Sequence, residues 1–256
     1  MAIFAIGDLH LSLDERIEKP MDVFGRSWAD HDARLRENWI NTVGQGDTVI
    51  ICGDVSWGLR LDEALADIRF IEDLPGNKVI TKGNHDLWWG SISKLNALSD
   101  NITFLQNTGM LIAASDASVN NMPCGHEERM GSSDHSGRIG ICGTRGWICP
   151  GTDGFDAHDQ KIYERELLRL EMSIQDAIAK GAEDLICSLH YPPSNDKFQE
   201  SGFTEILTRY QVKTCVYGHL HGKEAFKNGY KGYWNGVEYK LVSLDYVDAT
   251  PVKIYE

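Results

Sequence analysis

Residues 49–54 read VIICGD, and residues 79–86 read VITKGNHD. Both stretches begin with a short apolar run, continue through a glycine and end in acidic, amide or imidazole side chains. A similar pattern recurs at residues 2–10 (AIFAIGDLH), 185–190 (LICSLH) and 216–221 (VYGHLH). Short apolar runs bounded by glycine or polar residues are typical of buried strands. The sequence therefore predicts five strands, each of which ends in Asp, Asn or His.

Helical segments separate these strands. The spacing of apolar residues predicts helices at residues 30–43, 61–72 and 159–180. Strands are predicted at residues 2–6, 48–52, 78–81, 139–142, 185–189 and 214–217. Strands that alternate with helices indicate a layered α/β fold. Residues 229–233 and 237–244 alternate around Trp234-Asn235-Gly236, which predicts an antiparallel hairpin.

The length of 256 residues suits one α/β domain that spans residues 1–256. Residues 114–138 are rich in Ser, Asn, Gly and Asp and have no sustained hydrophobic period. This composition predicts a long surface insertion within the domain.

The chain is acidic, with 38 Asp and Glu against 25 Lys and Arg and a net charge of -13. This charge repels phosphate backbones, so bulk nucleic-acid binding is not expected. The sequence contains no apolar run of membrane-spanning length, and its N-terminus does not resemble a signal peptide. The six cysteines form no CxxC pair. These features predict a cytoplasmic protein with reduced thiols and no membrane association.

The polar residues at the strand ends are the candidate functional residues, because ligands bind outside the carboxyl ends of strands in open α/β sheets. They are Asp8, His10, Asp54, Asn84, His190, His219 and His221. Mixed oxygen and nitrogen donors suit Mn, Fe, Zn, Ni or Co rather than calcium. Seven ligands are too many for one catalytic ion that keeps an open position. The set therefore predicts two divalent ions, with Mn as the first choice, of the kind that clamp a phosphoryl group.

Glycine precedes four of these residues, namely Asp8, Asp54, Asn84 and His219. Glycine suits sharp turns from strand to loop that require a permissive backbone conformation. The sequence therefore predicts such turns at these four strand ends.

The motifs DLH, GDV, GNHD, a single strand-end histidine and GHLH, in this order, resemble the calcineurin-like metallophosphoesterase family. The resemblance extends over residues 8–221. It implies a four-layer α/β/β/α sandwich with mixed sheets flanked by helices, and a metal-bridging hydroxide that attacks phosphorus.

The resemblance also implies a role for each ligand. Asp8, His10 and His221 correspond to ligands of one ion, and Asn84, His190 and His219 to ligands of the other. Asp54 corresponds to the residue that bridges both ions.

His85, in GNHD, corresponds to the family's histidine that stabilises the transition state or protonates the leaving oxygen. Asp86 is adjacent in sequence and could orient it. Residues 53–58 read GDVSWG and lack the Asp and Arg of the GDxVDRG motif of protein Ser/Thr phosphatases, so that activity is disfavoured. Trp57 instead places an aromatic surface close to the metals, and Arg145 is a candidate phosphate contact.

The leading hypothesis is a dinuclear-metal-dependent phosphoester hydrolase that acts on a small phosphomonoester or phosphodiester. One alternative is a nuclease acting on DNA or RNA, which the acidic charge disfavours. Another alternative is a catalytically silent metal-binding scaffold, which would not need every expected position to be filled. Residues that select the substrate are expected in the segments 12–29, 57–60, 114–138 and 145–147.

Overall fold

The computed structural model describes residues 1–112 and 137–256. The predicted surface insertion at 114–138 therefore lies outside the described residues, except for Gly137 and Arg138. Five cysteines are described, and each is buried and free of any disulfide: Cys52, Cys142, Cys149, Cys187 and Cys215.

Two sheets and the helices around them account for the regular structure of the described residues. The strands are β1 (Ile3–Ile6), β2 (Thr48–Ile51), β3 (Asn77–Thr81), β4 (Ile102–Leu105), β5 (Met110–Ile112), β6 (Ile139–Thr144), β7 (Asp184–Leu189), β8 (Thr214–Tyr217), β9 (Gly232–Trp234), β10 (Val237–Leu241) and β11 (Val252–Tyr255). The helices are α1 (His31–Thr42), α2 (Leu61–Glu72), α3 (Ile92–Leu95), α4 (Ala157–Ala179), α5 (Gly202–Arg209) and α6 (Gly222–Ala225). None of these helices is long and apolar enough to cross a membrane.

The first sheet has the order β11-β1-β2-β3-β4, and the second has the order β5-β6-β7-β8-β10-β9. Both sheets are mixed. In the first, only β11 is antiparallel to its neighbour. In the second, β5 and β9 run antiparallel to the parallel strands between them. The fold class predicted from the sequence is therefore confirmed.

Three apolar cores hold the layers together, as the alternation of side chains in β1 illustrates. Phe4 and Ile6 pack with residues of α1 and α2 on the outer face of the first sheet. Ile3 and Ala5 point the other way, into a core shared with the second sheet. The outer face of the second sheet is covered by α4 and α5. The layers thus follow the order helix, sheet, sheet, helix.

The observed helices match their predictions closely. The predicted helix at 30–43 is α1, and the helix predicted at 159–180 begins two residues earlier, at Ala157. The earlier start has a clear cause, because the Asp156 carboxylate accepts hydrogen bonds from the backbone N–H groups of His158 and Asp159.

The predicted hairpin is present, but its first strand, predicted at 229–233, spans only Gly232–Trp234, and its second strand is shorter than expected. Asn235 and Gly236 both have positive φ, at 49° and 83°, as a tight turn of this kind requires. The strand predicted at 237–244 ends at Leu241 because the chain then crosses to the first sheet. There Gly7 donates a hydrogen bond to Val242 O (2.8 Å) and accepts one from Leu244 N–H (2.9 Å).

The shared core predicts unequal effects for two isoleucine substitutions. Ile50 is fully buried between the sheets, whereas Ile40 on α1 is 55% exposed. We expect Ile50→Ala to lower the free energy of unfolding by about 2–5 kcal/mol, because it leaves a cavity. Ile40→Ala, the matched control, should change it by less than about 0.5 kcal/mol. Urea denaturation monitored by circular dichroism measures both, and equal losses would contradict the assigned layers.

Candidate metal centre

The seven strand-end residues predicted from the sequence converge at one edge of the two sheets. They lie beyond the carboxyl ends of β1, β2, β3, β7 and β8. Asp8, His10, Asp54 and His190 are buried, whereas the other three are partly exposed: Asn84, His219 and His221. The structure therefore gathers donors that are spread over more than two hundred positions of sequence.

One group of donors contains Asp8, His10 and His221. One ligand atom from each residue lies within 4.8 Å of the others. The Nε2 atoms of His10 and His221 are 3.3 Å apart, and His221 Nε2 is 3.8 Å from Asp8 Oδ1. A cation placed among these atoms would have two imidazoles and one carboxylate as ligands.

The second group contains Asn84, His190 and His219. Asn84 Oδ1 is 2.6 Å from His190 Nε2 and 3.0 Å from His219 Nδ1. The other ring nitrogen of His190 lies 2.9 Å from Cys52 O, a contact that fixes the orientation of the ring. This group offers one amide oxygen and two imidazole nitrogens.

Asp54 lies between the two groups. Its Oδ2 atom is 3.8 Å from His10 Nε2 and 3.4 Å from His190 Nε2. Its Oδ1 atom accepts a hydrogen bond of 2.7 Å from the backbone N–H of His85. An ion bound in either group would therefore lie close to this carboxylate.

The backbone is strained where the chain delivers these donors. Asp8, His10, Asp54 and His219 all have left-handed conformations, with φ of 57°, 46°, 51° and 71°. This region is uncommon for residues other than glycine and is concentrated at functional sites. The strain supports a functional role for this edge of the sheets.

The predicted reason for the glycines that precede the candidate ligands, a permissive backbone conformation, applies to one of the four. Only Gly53 takes a positive φ, of 81°. At Gly83 a Cβ atom would lie 2.1 Å from Asp54 Oδ1, and at Gly218 it would lie 2.3 Å from Asp8 Oδ2. Glycine is required at these two positions because a carboxylate occupies the space of a side chain.

Burial controls the ionisation of the cluster. It raises the pKa of Asp8 to about 8 and that of Asp54 to about 6, because the charged forms lose their hydration. It lowers the pKa of His190 to about 3 and that of His219 to about 2, and it places the pKa of His10 well below the ordinary value. These three imidazoles are therefore neutral near pH 7.

Divalent cations fit this set of donors. Neutral imidazoles present lone pairs to a metal ion, and carboxylates release a proton when the ion binds. His10 Nδ1 is buried without a hydrogen-bond partner in the described part of the chain, so its ring is not held by the protein at that atom. Positive charge supplied by metal ions would compensate the buried Asp8 and Asp54 carboxylates.

His85 and Trp57 stand beside the first group of donors. The His85 side chain is exposed, and its ring lies 4.5 Å from the Trp57 ring and 5.7 Å from the His10 ring. Trp57 also stacks on His10 at 4.7 Å, with an angle of 18° between the rings. Trp57 therefore contacts both imidazoles.

Asp86 holds the two central loops together. Its buried carboxylate accepts hydrogen bonds from the backbone N–H groups of Asp54 (2.9 Å), Val55 (2.9 Å) and Gly83 (2.8 Å). Burial, together with the nearby Asp54 carboxylate, raises the pKa of Asp86 to about 7. Its hydrogen bonds thus fix the backbone of Asp54 rather than the ring of His85.

Asp245 belongs to the site but was not predicted. Its carboxylate lies 3.0 Å from His221 Nδ1 and accepts a hydrogen bond of 2.9 Å from Gly222 N–H. Burial alone would lower the pKa of His221, but the hydrogen bond with Asp245 and the charge of Asp8 outweigh burial and raise it. The apolar run at 241–244, followed by Asp245, repeats the pattern of the other strand ends and is the signal that identifies it.

Arg145 lies near the second group of donors. Its backbone carbonyl accepts a hydrogen bond of 3.1 Å from His190 N–H, and its guanidinium lies 4.6 Å from the Trp147 ring. Its positive charge lowers the pKa of Asp54, although burial has the larger, opposite effect. Arg145 Nη2 is 3.7 Å from Glu166 Oε1.

Comparison with known proteins identifies relatives of this chain. A family model described as calcineurin-like phosphoesterase matches residues 1–223. Gene 66 protein of Mycobacterium phage L5 is 44% identical over 57 residues, which cover 22% of this chain and 27% of that protein. Gene 66 protein of Mycobacterium phage D29 is 41% identical over 63 residues, which cover 24% and 31%. The matches thus span less than a third of the length of these curated relatives.

Solved structures superpose on this chain at low sequence identity. Phosphopantetheinyl hydrolase from Mycobacterium tuberculosis superposes with a TM-score of 0.50 and 13% identity, over 94% of this chain and 88% of that one. The AQ665 protein of unknown function from Aquifex aeolicus gives a TM-score of 0.48 and 15% identity, over 98% and 95%.

Asp245 provides a test of the first donor group. We expect Asp245→Asn to weaken metal binding by about 10- to 100-fold, because the amide orients His221 less well than the carboxylate does. Calorimetric titration of metal-free protein with Mn²⁺ measures the change. Asp153→Asn is the control, because the Asp153 side chain is 97% exposed. Unchanged affinity in Asp245→Asn would show that His221 is not a ligand held by Asp245.

Proposed function

The chain belongs to the calcineurin-like phosphoesterase family, and from this premise we propose that it is a metal-dependent hydrolase of a small phosphomonoester or phosphodiester. The observation that carries the proposal is the pair of donor groups joined by Asp54. A single structural ion would not need two adjoining groups. Two ions that share a carboxylate are typical of enzymes that transfer phosphoryl groups.

In this proposal, Asp8, His10 and His221 hold one ion, and Asn84, His190 and His219 hold the other. Asp54 contacts both ions, which its position between His10 and His190 supports. Mn²⁺ is the first choice, although these donor types accept several first-row ions. When bound, two such ions would activate a water molecule near neutral pH and offset the charge of the phosphoryl oxygens.

His85 is the proposed proton donor to the leaving oxygen. Its ring is exposed, adjacent to the first donor group and not engaged in any hydrogen bond among the described residues, so a substrate oxygen can reach it. Its backbone N–H is fixed on Asp54 Oδ1, and its ring packs against Trp57. Trp57 therefore acts as a positioning residue for His85.

A cavity of about 320 Å³ beside His85 is the proposed site for the leaving group. Its apolar walls are formed by Met21, Phe24, Trp28 and Trp57, and His10, His85 and His221 line it as well. Trp57 Nε1 is 3.2 Å from Met21 Sδ, which ties the segment around Met21 to the site. An apolar or aromatic leaving group would bury surface there against these four apolar side chains.

Arg145 is the proposed protein contact of the scissile phosphoester. Its charge is close enough to act on Asp54, and guanidinium binds phosphate oxygens through paired hydrogen bonds.

The most informative assay is a panel of phosphomonoesters, phosphodiesters and oligonucleotides, run on protein of measured metal content. Hydrolysis of the small esters supports the proposal, and activity confined to oligonucleotides would favour a nuclease instead.

Asp54→Asn tests the shared ligand. We expect the variant to bind less metal per chain and to lose most of its phosphoesterase activity, because an amide oxygen is a poorer bridging ligand than a carboxylate. Metal content is measured by inductively coupled plasma mass spectrometry and activity with p-nitrophenyl phosphate in Mn²⁺. Asp100→Asn, at an exposed position, is the control. Full activity and full metal content in Asp54→Asn would contradict the proposal.

His85→Ala separates proton donation from metal binding. The variant should retain its metal ions and lose about 10²- to 10⁴-fold in kcat, which is the usual contribution of an acid-base group. The loss should shrink for a substrate with a good leaving group, which needs no proton. His158→Ala, an exposed histidine on α4, is the control. Loss of metal from His85→Ala would make this residue a ligand instead.

A further inference from the structure

A second cavity, of about 280 Å³, is lined in part by two residues that neighbour the other donor group. These two residues are Lys82, which is close to Asn84 in the chain, and Arg145, which is close to His190 in space. Lys82 precedes Asn84 by two residues, and Arg145 O accepts a hydrogen bond from His190 N–H at 3.1 Å. None of the residues that line the leaving-group cavity lines this one.

The walls of this cavity are strongly basic. Among the described residues, they contain four cationic side chains, Lys82, Arg145, Arg165 and Arg169, and a single carboxylate, Glu166. A local excess of three positive charges stands out in a chain of net charge -13. A cleft lined by charges of one sign concentrates ligands of the opposite sign.

Glu166 neutralises only part of this cluster, because it pairs with Arg169 and lies 3.7 Å from Arg145 Nη2. Its carboxylate is fully buried and already accepts hydrogen bonds from Thr144 Oγ1 (2.5 Å) and Arg169 Nη1 (2.8 Å). Within residues 1–112 and 137–256, Lys82 and Arg165 have no ion-pair partner, whereas Arg145 and Arg169 both contact Glu166. The Lys82 ammonium and the Arg165 guanidinium are therefore free to bind an anion in the cavity.

Gathering cations without counter-charges is unfavourable unless an anion binds among them. An anion with two or three oxygens, such as a carboxylate or a phosphate, matches these donors, because guanidinium groups bind such ions through paired hydrogen bonds. Trp89 and Leu105 also line the cavity, so a short carbon chain next to the anion has apolar surface to contact.

The position of the cavity indicates which part of a substrate would carry this anion. His85 lines the first cavity, where the leaving group is placed under the proposed function. The basic cavity is adjacent to the opposite donor group, and it is therefore available to the substituent that stays on phosphorus. We propose that it binds a second anionic group, carried by the non-leaving part of a phosphodiester substrate. This inference rests on the proposed function.

The test compares diesters that share one leaving group. p-Nitrophenyl esters with 2-carboxyethyl, 3-carboxypropyl or 5-carboxypentyl as the second substituent are compared with their propyl, butyl and hexyl counterparts. Because p-nitrophenol leaves in every case, any difference reflects the second substituent. We expect at least one carboxylate diester to have a kcat/KM about tenfold above its alkyl counterpart, chiefly through a lower KM.

Arg165→Ala tests the assignment to this cavity. Arg165 is exposed on α4, so its removal should leave the fold intact. The ratio of kcat/KM between the carboxylate diester and its alkyl counterpart should fall about tenfold in Arg165→Ala and recover partly in Arg165→Lys. Lys161→Ala is the matched control, because Lys161 is an exposed cation one turn earlier on the same helix and does not line the cavity.

Three outcomes would overturn the inference while leaving the proposed function intact. One is hydrolysis of both diester series at equal kcat/KM. Another is a preference that Lys161→Ala reduces as much as Arg165→Ala does. A third is stimulation of alkyl-diester hydrolysis by added inorganic phosphate without any preference for carboxylate diesters, which would assign the cavity to a free anion. No metal-dependent hydrolysis of any ester would instead be a failure of the proposed function.

Discussion

The structure depends on one electrostatic constraint, which is the burial of two carboxylates among neutral imidazoles. Asp8 and Asp54 lose nearly all their contact with water. Three of the neighbouring histidines cannot supply a positive charge near pH 7, because burial lowers the pKa of His10, His190 and His219. Divalent ions would resolve this constraint, because they would compensate the carboxylates and use the imidazole lone pairs at the same time. Four of the candidate ligands have a strained backbone, which is typical of functional sites.

Much of the surrounding structure maintains this arrangement. Asp86 joins the loops after β2 and β3, and Asp245 holds both His221 and the backbone that follows it. The glycines at 83 and 218 leave room for the two carboxylates. Two cavities with separate linings differ in character, one with four apolar side chains in its walls and the other basic. The acidity of the chain as a whole therefore says little about the part that would meet an anionic substrate.

The sequence predicts the layers and the seven convergent donors because each donor directly follows an apolar run, and parallel strands bring their carboxyl ends to one edge. Asp245 follows an apolar run as well, but it reaches the site only because residues 242–244 cross from one sheet to the other. The walls formed by Met21, Phe24 and Trp28 come from an irregular segment without periodicity. The basic cavity joins Lys82, which follows β3, and Arg145, which follows β6, to residues of α4, and their proximity depends on tertiary packing that no local pattern encodes.

The central claim is that this edge of the sheets holds two ions that share Asp54. Anomalous diffraction from crystals of the full chain grown with Mn²⁺ tests it most directly. The account predicts two manganese peaks about 3.5–4 Å apart, one among Asp8, His10 and His221 and the other among Asn84, His190 and His219, with Asp54 in contact with both. A single peak, or peaks that do not involve Asp54, would contradict it.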